Sequence, residues 1–126
     1  HHIICGYGRV GRAVAEELAR EGTRYVVCEI ADRHAAEQVA EGIPFVLDDP
    51  SHDRALIRAG IDRAKGLVCA VDNDAINVFI ALTARGLNAD ITIVARAAYN
   101  QGYALPVLPV RGRGEVKPGI KPGWTK

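Results

Sequence analysis

His2-Ile3-Ile4-Cys5-Gly6-Tyr7-Gly8-Arg9-Val10-Gly11 is the stretch whose reading decides the fold. A short apolar run leads into Gly6, and an alanine-rich helical pattern begins at Val10. Strand, glycine turn and helix in that order are the context in which G-x-G-x-x-G carries meaning. Gly6 supplies the tight turn off the strand. Gly8 lacks a side chain, so a phosphate can approach the backbone. Gly11 lets the helix lie close to the sheet. The helix start adds free N–H groups and the positive end of a dipole. A second apolar run, Tyr25-Val26-Val27-Cys28, ends in Glu29. A carboxylate at the tip of a second strand is placed to accept hydrogen bonds from both hydroxyls of a ribose. Together the turn and the acid point to a nucleotide or dinucleotide site. The alternative is a turn that only packs a helix on a strand.

The pattern continues along the chain. Helix one runs over Val10 to Arg20, with Val14 and Leu18 on its apolar face and Gly22 as its stop. Strand two spans Tyr25 to Glu29, and a helix is predicted over Arg33 to Glu41. Strand three covers Pro44 to Leu47, and Ser51 is placed to cap a helix that ends at Gly60. Leu67 to Val71 is a continuous apolar run, as a strand covered on both faces should be. Asp72-Asn73-Asp74 cap a helix over Ala75 to Arg85, with Gly86 as its stop, and strand five spans Ile91 to Ala95. Strands alternating with short helices give an α/β fold, a Rossmann-like doubly wound parallel sheet of order 3-2-1-4-5. Ligands of such sheets sit at the carboxyl ends of the strands, where the order reverses. Gly6 to Gly11, Glu29, Asp49, Asp72 and Arg96 each follow a strand in this layout. The helix with Ile76, Val78, Phe79, Ile80 and Leu82 is apolar over more than one face. Such a helix is covered on two sides. The sheet supplies one cover; a second subunit or the tail supplies the other.

With 126 residues, 48% of them hydrophobic, the chain has enough material for one domain with a sizeable core. A net charge of +1 gives no field that selects nucleic acid. No apolar run approaches the ~18 residues of a membrane span, and no stretch has the pattern of a signal peptide. Cys5, Cys28 and Cys69 fall in three different predicted strands without a C-x-x-C, so they read as small buried hydrophobes rather than metal ligands. Residues 1–97 form the predicted Rossmann-like domain. Residues 98–126 are rich in proline and glycine, more basic than acidic, and read as an irregular tail.

Residues 2–97 resemble the nucleotide-binding RCK N-terminal domains, also called TrkA-N or KTN domains, of prokaryotic potassium channels and transporters. The likeness rests on the first glycine stretch, Leu56-Ile-Arg-Ala-Gly-Ile61, Ala64-Lys-Gly-Leu67, Asn77-Val-Phe-Ile-Ala-Leu-Thr-Ala-Arg-Gly-Leu-Asn88 and Ile93-Val-Ala-Arg96. It implies a regulator rather than an enzyme: a cytoplasmic domain at the inner face of the membrane that dimerises, assembles into a ring beneath a potassium pore and couples an adenine nucleotide to gating. The ligand it implies is NAD(H) or ATP/ADP.

Carried over by position, the resemblance places Gly6, Tyr7, Gly8, Arg9, Val10 and Gly11 around the phosphates and Glu29, with Ile30, at the ribose. Asp49, Pro50 and Ser51 fall near the base. Asp72 and Asn73 lie beside the phosphates or a second ribose, and Arg96 meets phosphate or a neighbouring subunit. Asp48 and Pro50 stand where the family has glycine and alanine around Asp49. No acid follows Ala95, so no calcium site is expected. The family's sixth strand and second ligand-binding half are not recognisable. Two other classes remain open: the cofactor domain of an NAD-dependent oxidoreductase, and a dimerisation module with a vestigial nucleotide site. Hydride transfer needs an acid or base at the nicotinamide, and His34 and His52 both read as surface residues. NADP is disfavoured, because Glu29 would face its 2′-phosphate.

Overall fold

β1 (His2–Cys5) occupies the centre of the sheet because its residues are apolar on both faces. Ile3, Ile4 and Cys5 are all fully buried. In the computed structural model, which describes residues 1–32, 41–99 and 102–104, β1 pairs in parallel with β2 (Tyr25–Glu29) on one side and β4 (Gly66–Cys69) on the other. β3 (Phe45–Leu47) lies beyond β2, and β5 (Thr92–Ala95) lies beyond β4. The order 3-2-1-4-5 expected from the alternation of strands and helices is the order observed.

Helices cover both faces. α1 (Arg9–Arg20) buries Gly11 and Ala15, and Val14 and Leu18 pack beside Ile4, Tyr7 and Val27. Arg9, Glu16, Glu17 and Arg20 are charged and exposed, which is the pattern of a helix with one wet side. On the opposite face α2 (Asp53–Arg58) contributes Ala55 and Leu56, and α3 (Asp74–Leu87) contributes Ile80, Ala81 and Ala84. They close over Ile3, Cys5, Leu67 and Ile93. Burying a residue such as Ile3 or Ile93 contributes about 1.5–3 kcal/mol each, so this face is the larger store of stability.

Several element ends differ from the sequence expectation, each for a local reason. β4 stops at Cys69 rather than Val71, because the Val71 backbone is hydrogen-bonded by a side chain, Asn77. Gly86 does not stop α3; the helix runs to Leu87 and is capped by Asn88, whose amide donates to the carbonyls of Ile61 and Ala64. That tertiary anchor outweighs the roughly 1 kcal/mol that a helical glycine costs. Ser51 does not cap α2, since both its amide and its hydroxyl donate to Asp49; His52 takes the N-cap position. Chain expected to be irregular after residue 97 contains a short antiparallel hairpin, β6 (Ala97–Tyr99) with β7 (Gly102–Ala104). Strands of three residues are too short for an alternating pattern to register in sequence. The helix expected over 33–41, with His34, and the tail from 105 onward lie outside the described residues.

Val78, Phe79 and Leu82 of α3 are exposed in the single chain. The cover expected for this second apolar face therefore does not come from the described part of the chain.

Candidate functional site

The turn after β1 is built as the glycine spacing requires. Gly6 has a φ of 97°, a left-handed conformation that side chains disfavour. A Cβ there would sit 2.8 Å from the Ala70 backbone, so β1 and β4 can leave the sheet side by side only with glycine at this position. The Gly6 amide donates to the Cys28 carbonyl at 2.9 Å, and the Ala70 amide to the Cys5 carbonyl at 2.8 Å. At Gly11 a Cβ would collide with the Gly6 carbonyl oxygen, which sets how closely α1 seats against the turn. Gly8 is the opposite case: nothing lies within 4 Å of where its Cβ would be. That open space fronts the amino end of α1, where the first amides have no intrahelical acceptor. The N-cap is Gly8 itself, no side chain caps the helix, and no acid lies in its first turn. Its positive end is therefore available to an anion.

Glu29 closes one edge of this space. One carboxylate oxygen accepts from the Tyr7 amide at 2.9 Å; the other accepts from the amides of Ile30 at 2.6 Å and Ala31 at 3.0 Å. A carboxylate accepts about four hydrogen bonds. Three backbone donors fix its orientation and still leave capacity for a ligand hydroxyl. Asp49 is similarly held, by the Ser51 amide at 2.9 Å and hydroxyl at 2.7 Å. Burial pushes the Asp49 carboxyl up, but the Ser51 bonds and nearby His52 outweigh it and the group titrates below its ordinary value. Asp48 sits beside it and is bound by Arg54 and Arg58. The Arg54 hydrogen bond, with the Asp49 amide, holds the Asp48 carboxyl down at about 2.

Across the cleft, Arg96 follows β5. It is 9% exposed and pairs with Asp72 at 2.8 Å. Asn77, fully buried on α3, ties these elements together. Its Oδ1 accepts from the Val71 amide at 3.0 Å; its Nδ2 donates to the Val71 carbonyl at 2.9 Å and to the Arg96 carbonyl at 3.1 Å.

The result is a cleft of about 790 Å³ at the carboxyl ends of the strands. Pockets for small molecules and cofactors run to about 300–1,000 Å³. Of the residues expected at the site, Gly6, Gly8, Arg9, Val10, Glu29, Ile30, Asp49, Pro50, Asp72 and Arg96 line it. Four do not. The Tyr7 ring is buried in the core under the Arg12 guanidinium, 4.8 Å from its centroid, and the Tyr7 backbone amide donates to Glu29. Gly11 lies beneath the loop, Ser51 folds onto Asp49, and Asn73 caps α3 by accepting from the Ile76 amide. Ala31, Ala70, Val71 and Ile76 line the cleft and were not expected. Their types carry no chemical signal, although Ala70 and Val71 were reachable from their place just past β4. Among the described residues no group of His, Cys, Asp or Glu is arranged to hold a metal ion. The three cysteines are buried, and burial pushes Cys28 and Cys69 up to about 12 and Cys5 well above its ordinary value.

The model of the TrkA-N domain matches residues 2–105. The chain belongs to the TrkA-N family. Among relatives of this TrkA-N domain, potassium channel protein 1 of Methanocaldococcus jannaschii is 42% identical over 100 residues, 77% of the chain and 30% of that protein. Probable potassium channel protein 2 of the same organism is 35% identical over 119 residues, 92% of the chain and 34% of that protein. The chain thus spans about a third of these relatives' length. Among solved structures, the TrkA-N domain of inner membrane protein ybaL from Escherichia coli has a TM-score of 0.76 at 32% identity, covering 80% of this chain and 75% of that one. The Shewanella denitrificans Kef C-terminal domain in its AMP-bound form has a TM-score of 0.67 at 26% identity, covering 78% of this chain and 58% of that one. No helix among the described residues is long and apolar enough to cross a membrane.

Proposed function

We propose that this TrkA-N domain binds an adenine nucleotide, NAD(H) or ATP/ADP, in the cleft, and that within a potassium channel or transporter it couples that binding to gating. The observation that carries the reading is the meeting, in one cleft, of an unblocked helix start at Gly8 and a carboxylate, Glu29, already oriented by three amides. The phosphates lie over Gly8 with Arg9 beside them. The adenosine ribose hydrogen-bonds to Glu29, and the base lies between Ile30 and Pro50. A 2′-phosphate would meet the Glu29 carboxylate, so NADP is rejected. The AMP held by the Kef domain and the channel relatives support this assignment.

The domain acts as a regulator and not as an enzyme. It works as a homodimer, and in a ring of such dimers, on the cytoplasmic side of a membrane-embedded pore. Support for the dimer comes from α3, whose Val78, Phe79 and Leu82 are 54%, 56% and 65% exposed in the single chain. Solvent-facing apolar side chains grouped on one helix mark an interaction surface.

The test is a melting panel with NAD+, NADH, ATP, ADP and AMP, followed by calorimetry on whichever ligands raise the midpoint. A ligand at about 100 times its Kd adds about 2.7 kcal/mol to the folded state. That shift is expected with at least one of the five and absent with NADP+. No shift with any of them would end the nucleotide reading.

A further inference from the structure

We propose that Asp72 is a tethered stand-in for a ligand phosphate on Arg96, and so determines how strongly the site selects for anionic charge. The inference rests on the nucleotide reading of the cleft and reassigns Asp72 from a ligand contact to a competitor.

The pair is asymmetric. The Arg96 side chain is 10% exposed, whereas the Asp72 side chain is 92% exposed. Arg96 is fixed along its length: its amide donates to the Cys69 carbonyl at 2.8 Å, its carbonyl accepts from Asn77 at 3.1 Å, and its Nη1 also reaches the Val71 carbonyl at 3.4 Å. Asp72 holds Arg96 by one oxygen to one nitrogen, at 2.8 Å. Both residues line the cleft that Gly6 and Gly8 open onto. The cation is therefore stationary and the anion is free to swing into solvent.

An ion pair with one partner in solvent is worth a factor of about five or less. A phosphate carries more charge than a carboxylate and can take an arginine by two parallel hydrogen bonds. It therefore displaces Asp72 from Arg96. Displacement leaves the carboxylate on the same loop, close enough to repel. Asp72 thus weakens every phosphate-bearing ligand and leaves an uncharged nucleoside untouched. This is opposite in sign to a role as a ribose or phosphate contact, whose loss would weaken binding.

The experiment is calorimetry of the wild type, Asp72→Asn and Asp72→Ser with adenosine, AMP, ADP and ATP, without divalent cations, at about 50 mM salt and again near 0.5 M. Both variants are expected to bind ADP and ATP about fivefold more tightly than the wild type at low salt. Adenosine should change less than twofold, and the gain should shrink at high salt. The same substitution made in an Arg96→Gln background is expected to give a smaller gain, because no cation is left to release. Weaker or unchanged binding of ADP and ATP would overturn the proposal, as would an equal gain for adenosine or a full gain without Arg96. A wild type that binds none of the four overturns the nucleotide reading itself and this inference with it, an outcome distinct from the others. The pair adds at most about a factor of five to the folded state, so melting midpoints of the variants without ligand should lie within several degrees of the wild type.

Discussion

Asn77→Leu tests how the cleft is held open at its far wall. Leucine keeps the volume of the side chain and removes both ends of the amide. Three hydrogen bonds are lost: to the Val71 amide, the Val71 carbonyl and the Arg96 carbonyl. Each contributes about 0.5–1.5 kcal/mol net, and the partners left behind are backbone groups packed under α3. The Val71 carbonyl keeps a contact from Arg96 at 3.4 Å, so its loss is the smallest of the three. The total is about 3 kcal/mol. With an m-value of about 2 kcal/mol/M, the urea midpoint should fall by about 1.5 M at unchanged slope. Urea titration followed by circular dichroism reads this directly. A loss below about 1 kcal/mol would mean that the bonds are dispensable and that β4 ends at Cys69 for some other reason.

Gly8→Asp and Gly11→Ala should separate binding from folding. Gly8 fronts open space, so the aspartate is expected to leave the melting midpoint unchanged while its charge cuts nucleotide affinity by about 100-fold or more in calorimetry. At Gly11 the added methyl meets the Gly6 carbonyl, so Gly11→Ala should lower stability by about 1–3 kcal/mol in urea titration. The Asp48 carboxyl is held down at about 2 by Arg54, so its contribution is fully present above its unfolded value near 4 and is lost as pH falls through about 2. The stability gap between wild type and Asp48→Asn should therefore narrow from pH 4 to pH 2; a gap constant with pH would contradict the pairing. Phe79→Glu places a charge on the exposed apolar face of α3 and should shift a dimer to monomer in sedimentation or gel filtration. An unchanged mass would remove that face from the interface.

Much of this architecture was legible from local rules. The sheet order followed from apolar runs alternating with helices, and the site from the way Gly6, Gly8 and Glu29 fall at adjacent strand ends. Each of those signals is short in range and chemically specific. What was not legible depends on partners distant in sequence. Nothing near Val71 announces that Asn77 will take its backbone and end β4. Gly86 reads as a stop until Asn88 is seen anchored on the 61–64 turn. Ser51 is a good cap by type, and only the fold reveals that Asp49 claims it. Tyr7 sits inside the glycine motif by position, yet its ring belongs to the core, packed in one cluster with Ile4, Ala15 and Val27.

The cysteines form a row. Cys5 stands opposite Cys28 on one side and Cys69 on the other, in register across three neighbouring strands. While the sheet is intact their thiols stay protonated and shielded, and air or peroxide has nothing to attack. Unfolding uncovers all three together, with ordinary acidity, on a chain now free to cross-link. Heating in air should therefore ratchet the molecule into scrambled disulfides, whereas the same scan in excess reductant should retrace on cooling.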